Sequence, residues 1–474
     1  MITDAAVEPV SGEAGGGSGG LDRSAWSWAW YQGVRDPYIG LVLGTVFMPY
    51  FATTMVGDPV RGQSLVAQIS EYSGLIIAVV APVLGATVDQ IGPRKPWLAI
   101  CTALMVPMIA MLWFAAPGET ILSIGQVMTL MIAISVVLTS GEVIFSSMLA
   151  YAVRPRARSA ASGLALSLGN VVTFAQLIFL LWAFALPGQV DWAFVPDAPL
   201  FGLLASQNEP DRAVAPVVAL CLLIGALPLF LFSRDAPRSG AAGRGLSHVG
   251  DGLKGLWQLI RNARENRDAM IYLVARTVSQ DAGMVLLVLS GVLAAGVMGW
   301  GAMEMLVYTL VITVAGVGSG ALASWLDGRV GPKRALQIEI LGSLVGLVGM
   351  LGTAPGVILF LWPVEPGVKI WDAPMFATAP ELAFLFFSFV SSLYQIAAWS
   401  SARTLLTRLA PPDKIGSFFG LAALAAAMTG WLGPMLAGMF TTGLASQQAG
   451  FIPVAAMLTL GMMALFLVRG GGRE

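Results

Sequence analysis

Five ionisable side chains lie inside long apolar stretches of this sequence: Arg35, Asp36, Glu142, Arg276 and Asp281. An ionisable group in the hydrocarbon of a membrane costs at least about 2.5 to 3.5 kcal/mol, so such a residue usually faces a cavity or a partner of opposite charge. Two kinds of chemistry suit this set. The residues could bind the charged group of a solute, or they could take up and release a coupling ion, either a proton or sodium.

The spacing of Arg276 and Asp281 bears on where their partners lie. On one helix, residues five apart differ by about 140° around the axis, and these two lie about 12 and 20 Å from the start of their stretch. Their partners are therefore expected on other helices or in a solute. The charges form either a substrate or proton-coupling constellation or structural ion pairs that lock the helices together. Glu142 has a further alternative, which is to pair with Arg154 or Arg158. Neutral candidates for contacting a solute are Gln280, Gln395 and Trp399.

The residues needed for metal, nucleotide or nucleic-acid chemistry are missing from the sequence. Its one histidine and two cysteines cannot assemble a metal site or a disulfide framework. No glycine-rich stretch is followed by the Lys-Ser or Lys-Thr of a phosphate-binding loop. The 26 basic and 27 acidic residues nearly cancel, so nucleic acid is not an expected partner. We expect no metal, no cofactor and no enzymatic activity, and transport that is passive or driven by an ion gradient.

The composition is that of an integral membrane protein. Only 11% of the 474 residues are charged and 57% are apolar, whereas soluble proteins are roughly 25% charged. A spanning helix needs about 20 apolar residues, and lipid-buried backbone must satisfy its own hydrogen bonds. We therefore predict an all-α membrane protein with twelve transmembrane helices. The predicted spans are 28–57, 65–87, 97–116, 121–148, 160–186, 213–233, 269–296, 302–326, 335–362, 379–402, 415–442 and 449–469.

Lysines and arginines concentrate in alternate connections between these spans, chiefly 94–95, 154–158, 234–267, 329–334 and 403–414. The connections on the other side contain Arg61, Arg212 and Lys369. Basic connections stay in the cytoplasm. Both termini are therefore predicted to be cytoplasmic, in a multi-pass protein of a bacterial inner membrane that is surrounded by membrane lipids.

The two halves of the chain resemble each other in order. Tyr31-x-x-x-Arg35 recurs as Tyr272-x-x-x-Arg276, and Phe145-Ser146-Ser147 recurs as Trp399-Ser400-Ser401. Such a duplication predicts two pseudo-symmetric six-helix bundles around a cavity that can open to either side. The predicted domains are a disordered cytoplasmic tail (1–24), an N-terminal bundle (25–233), a cytoplasmic loop with an amphipathic helix (234–268), a C-terminal bundle (269–469) and a tail (470–474). The amphipathic helix lies either on the inner leaflet or on the floor of the bundle.

A signature motif follows the second span. Gly85-Ala86-Thr87-Val88-Asp89-Gln90-Ile91-Gly92-Pro93-Arg94-Lys95 is similar to the Gly-x-x-x-Asp-Arg-x-Gly-Arg-Arg of the major facilitator superfamily, with Gln90 and Pro93 as departures. This resemblance implies the twelve-helix fold of that superfamily, in which such loops latch the two halves on the cytoplasmic side. It implies gating roles for Asp89, Gly92, Arg94 and Lys95 in the first half and for Asp327, Arg329, Gly331, Lys333, Arg403 and Arg408 in the second.

A narrower similarity is to the vacuole-effluxer branch, the family of the autophagy-related vacuolar amino-acid exporter. The opening Trp28-Ala29-Trp30-Tyr31 resembles that family's Trp-Ala-x-Tyr, and the Arg276 and Asp281 spacing and the later Gly433-Pro434 are also similar. The resemblance implies amino-acid-like solutes or export.

The predicted function is therefore that of a secondary active transporter, monomeric and working by alternating access, that moves a small polar or amphipathic solute. One alternative is a cation-coupled sugar-type symporter. Another is a non-transporting membrane scaffold or assembly factor on the same fold. A scaffold does not need buried charges at pseudo-symmetric positions, and this chain has them at Arg35 and Arg276.

Overall fold

The computed structural model describes residues 21–88, 93–119, 121–154, 158–188, 190, 192–235, 267–409, 418, 421–422, 425–426 and 428–469. These residues are predominantly helical. The long helices are Arg23–Arg35 continuing through π-helical segments to Met55 (α1), Pro59–Val88 (α2), Lys95–Met111 (α3), Ile124–Ala152 (α4), Arg158–Leu180 (α5), Val214–Gly225 with Leu227–Phe232 (α6), Arg267–Met298 (α7), Ala302–Val330 (α8), Pro332–Leu351 (α9), Ala379–Leu409 (α10), Leu432–Gly443 (α11) and Ile452–Phe466 (α12).

Eleven helices of the described residues are long and apolar enough to cross a membrane, and the continuous described part of α11 begins at Leu432. The expectation of an all-α membrane protein is thus confirmed. The first helix begins at Arg23, because the Asp22 carboxylate accepts a 3.0 Å hydrogen bond from the amide of Ala25 and caps it. The first 20 residues, the tail from 470 and most of the loop predicted to hold an amphipathic helix lie outside the described residues.

The ninth predicted span, 335–362, is wrong at its end. Helix α9 stops at Leu351, and the chain then forms a hairpin of two short strands, β1 (Val357–Ile358) and β2 (Trp362–Pro363). A glycine, Gly352, follows the helix, and Leu359 and Phe360 at the hairpin turn take left-handed backbone angles (φ 54° and 63°). The apolar run 357–362 satisfied the hydropathy criterion for a span, but its backbone polar groups pair across a hairpin.

Helices α1 to α6 and α7 to α12 form two bundles that meet along α2 with α11 and along α5 with α8. At one end of the N-terminal bundle, Asp22 lies 3.8 Å from Arg154 and 3.4 Å from Arg234. At the matching end of the C-terminal bundle, Lys333 Nζ donates to the carbonyl of Val468. We call this end the basic side and the other end the far side.

Aromatic packing fixes α1 against α4. The Trp28 ring stacks on Phe145 with 4.6 Å between centroids, and its indole N–H donates to the Phe145 carbonyl at 3.2 Å. Stacked pairs of this kind contribute about 0.5 to 1.5 kcal/mol beyond the burial of their area. The contact places Arg35, two turns further along α1, beside Glu142 on α4.

Candidate functional site

A cavity of about 650 Å³ lies between the two bundles. Residues from α1, α2 and α4 of the first bundle and from α7, α10 and the α11 region of the second line this central cavity. Its polar and charged lining residues are Ser70, Ser73, Ser135, Arg276, Thr277, Gln280, Asp281, Trp399, Arg403 and Thr429. The rest of the lining is mainly aliphatic, so the cavity presents a few polar groups on an apolar wall, as small-molecule sites do.

Asp281 is buried at the wall of the cavity, with 6% of its surface exposed. Its Oδ2 accepts a 3.0 Å hydrogen bond from the amide of Gly433, near the start of the continuous part of α11. Its Oδ1 has no hydrogen-bond partner among the described residues. The first amides of a helix lack carbonyl partners within it, so a carboxylate is well placed there. A Cβ on Gly433 would lie 2.8 Å from the Val285 side chain, and the absence of one allows this close approach.

Two guanidinium groups face the same cavity. Arg276 of α7 and Arg403 of α10 both line it, and the buried Nε of Arg276 has no hydrogen-bond partner in the described ranges. Among the described residues, no carboxylate oxygen lies within 4.0 Å of either group. The side chain of Arg403 is exposed, and Arg403 lies in the half of α10 that ends at the basic side. Within the part of the chain that the structure describes, the cavity therefore carries positive charge that has no ion-pair partner.

The charges of the first bundle form a closed cluster instead. Arg35 donates to Asp36 at 2.9 Å and also to Glu142, and its guanidinium lies 5.3 Å from the centre of the Phe145 ring. Gln32 donates to the other oxygen of Asp36 at 3.2 Å. None of the three charged residues is among those that line the central cavity. In this conformation they bind one another, and Glu142 pairs with Arg35.

Of the three neutral residues selected from the sequence as candidates for contacting a solute, Gln280 and Trp399 line the central cavity and Gln395 does not. Gln395 accepts a 3.0 Å hydrogen bond from the Ser343 hydroxyl of α9 and borders a smaller cavity of about 40 Å³ together with Trp399. In this structure Gln395 links α10 to α9 through that hydrogen bond.

The far side of the cavity is closed by polar contacts between the bundles. Gln63 of α2 donates from Nε2 to Thr441 Oγ1 of α11 (2.9 Å) and to the carbonyl of Gln447 (2.7 Å). The Gln447 amide donates to the carbonyl of Pro59 (3.0 Å), where α2 begins. All three side chains are buried. We call Gln63, Thr441, Gln447 and Pro59 the far-side clasp. Sequence reasoning missed it, because neutral polar residues in apolar helices give no distinctive pattern.

The loop residues assigned to gating are described in part. Arg94 and Lys95 use their amides to bind the two carboxylate oxygens of Asp235 (2.8 and 3.0 Å), and Arg94 Nε donates to Ser147 at 2.7 Å. These contacts lie within the first bundle. Asp89 and Gly92 lie outside the described residues.

In the second half, Gly331 takes a left-handed φ of 80° between α8 and α9, which explains the need for glycine there. The Arg329 guanidinium lies 4.6 Å from the centre of the Trp325 ring, and Asp327 Oδ1 is buried without a partner. Arg408 is exposed, and Arg403, expected at the latch, lines the central cavity. A cluster of three or more metal-ligating side chains is absent from the described part of the chain.

Glu339 is a buried carboxyl that the sequence-based site did not include. It lies on α9 with none of its surface exposed and accepts a hydrogen bond from Ser401 of α10. The signal that selected Glu142, an acid within an apolar stretch, would have selected Glu339 as well.

Comparisons with known proteins give a family and a fold. Residues 154–470 match the family described as "Vacuole effluxer Atg22 like". No curated protein sequence matches the chain. Among solved structures, the nucleoside transporter NupG (D323A mutant) is similar with a TM-score of 0.67 at 11% identity, covering 94% of this chain and 100% of that one.

Two further structures support the same fold. A D-xylose-proton symporter has a TM-score of 0.65 at 14% identity, covering 95% of this chain and 98% of its own. A bacterial homologue of the human lysosomal transporter Spinster, in an inward-facing and occupied conformation, has a TM-score of 0.60 at 13% identity, covering 94% and 95%. All three are major facilitator transporters, so the predicted twelve-helix major facilitator fold is confirmed.

Proposed function

This chain belongs to the Atg22-like vacuole effluxer family and is a secondary transporter, and we propose that it carries an amphipathic solute with an anionic group through the central cavity by alternating access. The anionic group binds Arg276 and Arg403, and Gln280, Trp399 and Asp281 complete the site. The apolar body of the solute packs on the aliphatic wall of the cavity.

The observation that carries this proposal is a pair of guanidinium groups at one cavity that have no carboxylate partner among the residues the structure describes. A charge-assisted hydrogen bond contributes about 1.5 to 3 kcal/mol, so a ligand anion gains binding energy from both groups. At the half-buried Arg276 the anion also compensates a charge that is partly removed from solvent. Asp281 Oδ1, which also has no partner among the residues that are described, can accept a hydrogen bond from a donor group of the solute or take up a proton.

The conformation described here supports the alternating-access part of the proposal. The far-side clasp closes one end of the cavity, and the exposed Arg403 marks the open end near the basic side. Basic connections face the cytoplasm, so this conformation is inward-facing, with both termini in the cytoplasm of a bacterium. Transport is coupled to a proton or sodium gradient with Asp281 as the coupling carboxylate, and it runs outward in keeping with the family's description.

A thermal-shift screen of the purified protein tests the proposal. Amino acids, peptides, sugars and lipids are added to the wild type and to Arg276→Gln, with a variant of the exposed Glu365 in the connection after β2, Glu365→Gln, as the control. We expect anionic amphipathic compounds to raise the Tm of the wild type and the control but not of Arg276→Gln.

Other outcomes of the screen support other functions. Stabilisation by a neutral sugar, equal in all three proteins, supports the sugar-type symporter. A protein that no compound stabilises and that gives no solute flux in proteoliposomes contradicts the transport proposal and leaves the scaffold.

A further inference from the structure

Glu339 occupies the interior of the second bundle, away from the central cavity. It lies two turns into α9, after the Gly331-Pro332 turn, and none of its surface is exposed. It is not among the residues that line either cavity described above. Any role it has must therefore be exerted through its neighbours on α8 and α10.

The hydrogen bonding of Glu339 is incomplete. Oε1 accepts a 2.9 Å hydrogen bond from the Ser401 hydroxyl of α10, and Oε2 has no hydrogen-bond partner in the described part of the chain. Among the described residues, no lysine, arginine or histidine nitrogen lies within 4.0 Å of either oxygen. One hydroxyl donor is far less than the two or three donors that stabilise a buried carboxylate.

As far as the structure describes them, the charged groups of the neighbouring helices do not supply a counter-ion. Arg329 of α8 lies over the Trp325 ring, and Arg408 of α10 is exposed. Helix α8 contributes Asp327, an acid whose Oδ1 is itself buried without a partner and whose charge acts on Glu339 unfavourably. On α10, Arg403 lines the central cavity. On α9, Lys333 Nζ binds the carbonyl of Val468 and Arg334 is exposed. Helix α12, which also packs on α9, has no ionisable residue between Ile452 and Phe466.

We propose that the Glu339 carboxyl binds a proton in this conformation, forming a proton site that is separate from the central cavity. An ionised carboxylate placed in a protein interior without a counter-ion costs several kcal/mol, and protonation removes that cost. The bound proton also removes the repulsion between Glu339 and Asp327. The site joins α9 to α10, the helix that carries Trp399 and Arg403, so release of the proton places an uncompensated charge in the α8–α9–α10 packing and disfavours this conformation.

The site makes the stability of this conformation depend on pH even without solute. In the unfolded chain a glutamate releases its proton near pH ~4.3. Between that pH and the pH at which buried Glu339 releases its own, the folded protein holds one more proton than the unfolded chain. Stability then falls as pH rises. Asp281 in the cavity is not involved, so the proposal stands or falls independently of solute binding.

Thermal unfolding of the full-length protein in detergent, from about pH 5 to about pH 9, tests the proposal in three proteins. Glu339→Gln imitates the protonated carboxyl and keeps an acceptor for Ser401. Glu365→Gln, at an exposed glutamate in the connection after β2, is the matched control. We expect the Tm of the wild type to fall with rising pH by at least about 2 °C relative to that of Glu339→Gln. The control should follow the wild type. Parallel pH profiles for the wild type and Glu339→Gln would overturn the proposal.

Infrared difference spectra between the two ends of this pH range give a second measurement, which does not depend on the stability of a variant. The wild type should show the C=O stretch of a protonated carboxylic acid that disappears at high pH. In Ser401→Ala the same band should shift, because the carboxyl loses its hydroxyl donor. If the carboxylic-acid bands of the wild type and of Ser401→Ala are the same, the assignment of the band to Glu339 is wrong.

Discussion

Arg35 and Arg276 occupy matching places in the two halves, four residues after Tyr31 and Tyr272, but only Arg35 is bound to a carboxylate in the part of the chain that the structure describes. Glu142, the partner of Arg35, precedes Phe145 by three residues. The residue three before the matching Trp399 is Ile396. One bundle has therefore paired its arginine internally, and the other presents its arginine to the central cavity.

This asymmetry predicts opposite effects for one substitution made in each half. Arg35→Gln leaves Asp36 and Glu142 without their cation and should lower stability by on the order of 2 kcal/mol. Arg276→Gln removes an unpaired charge and should leave the Tm unchanged or higher, while affinity for an anionic solute falls about tenfold or more. Thermal unfolding and ligand titration of both variants measure these effects. Equal destabilisation by the two substitutions would show that Arg276 is a structural residue.

Asp281→Asn should affect the gradient-driven accumulation of solute more than the exchange of solute across the membrane. The asparagine side chain can still accept the hydrogen bond from Gly433 but cannot bind and release a proton, so gradient-driven accumulation is lost while some counterflow remains. Asp281→Ala should lose more of both, because the Gly433 amide loses its acceptor. Counterflow and pH-driven uptake in proteoliposomes, with Glu365→Gln as the control, give the two rates. Normal accumulation by the asparagine variant would leave Asp36 and Glu142 as the next candidates for coupling.

Weakening the far-side clasp should open the cavity toward that side. Gln63→Ala removes hydrogen bonds to Thr441 and Gln447, each contributing about 1 kcal/mol, so the far-side-open population should rise about fivefold or more. An impermeant thiol reagent applied from the far side, with a cysteine at the cavity residue Ser73 and both native cysteines replaced, reports the change. Gln448→Ala is the matched control, because Gln448 binds Ser446 in its own connection. Unchanged labelling of the Gln63 variant would mean that the clasp does not limit opening.

The orientation also has a direct test. A cysteine introduced in the connection 191–211 should be labelled from outside the cell, and one in the connection 239–250 only from inside, because the basic connections remain in the cytoplasm. Labelling of intact cells and of inverted vesicles with an impermeant reagent distinguishes the two sides. The reversed pattern would make the conformation described here outward-facing.

The sequence by itself determined the membrane class, the helices and the division into halves. These properties depend on the length of apolar runs and on where lysine and arginine interrupt them. Both features are visible in the linear sequence. The exception is the ninth span. The run 357–362 is apolar enough for a span, but only the structure shows its backbone groups paired across a hairpin beyond Leu351.

Only the tertiary structure decided what each buried charge contacts. Arg35, Glu142, Arg276 and Asp281 could be selected from sequence because each is an acid or base in an apolar run. Whether a given charge meets another charge, a backbone amide or an open cavity depends on which faces of different helices pack together. Helix α1 packs on α4 so that Arg35 reaches Glu142, whereas Asp281 reaches the amide of Gly433 and Arg276 reaches the cavity. Those contacts join residues more than a hundred positions apart, and no local pattern encodes them.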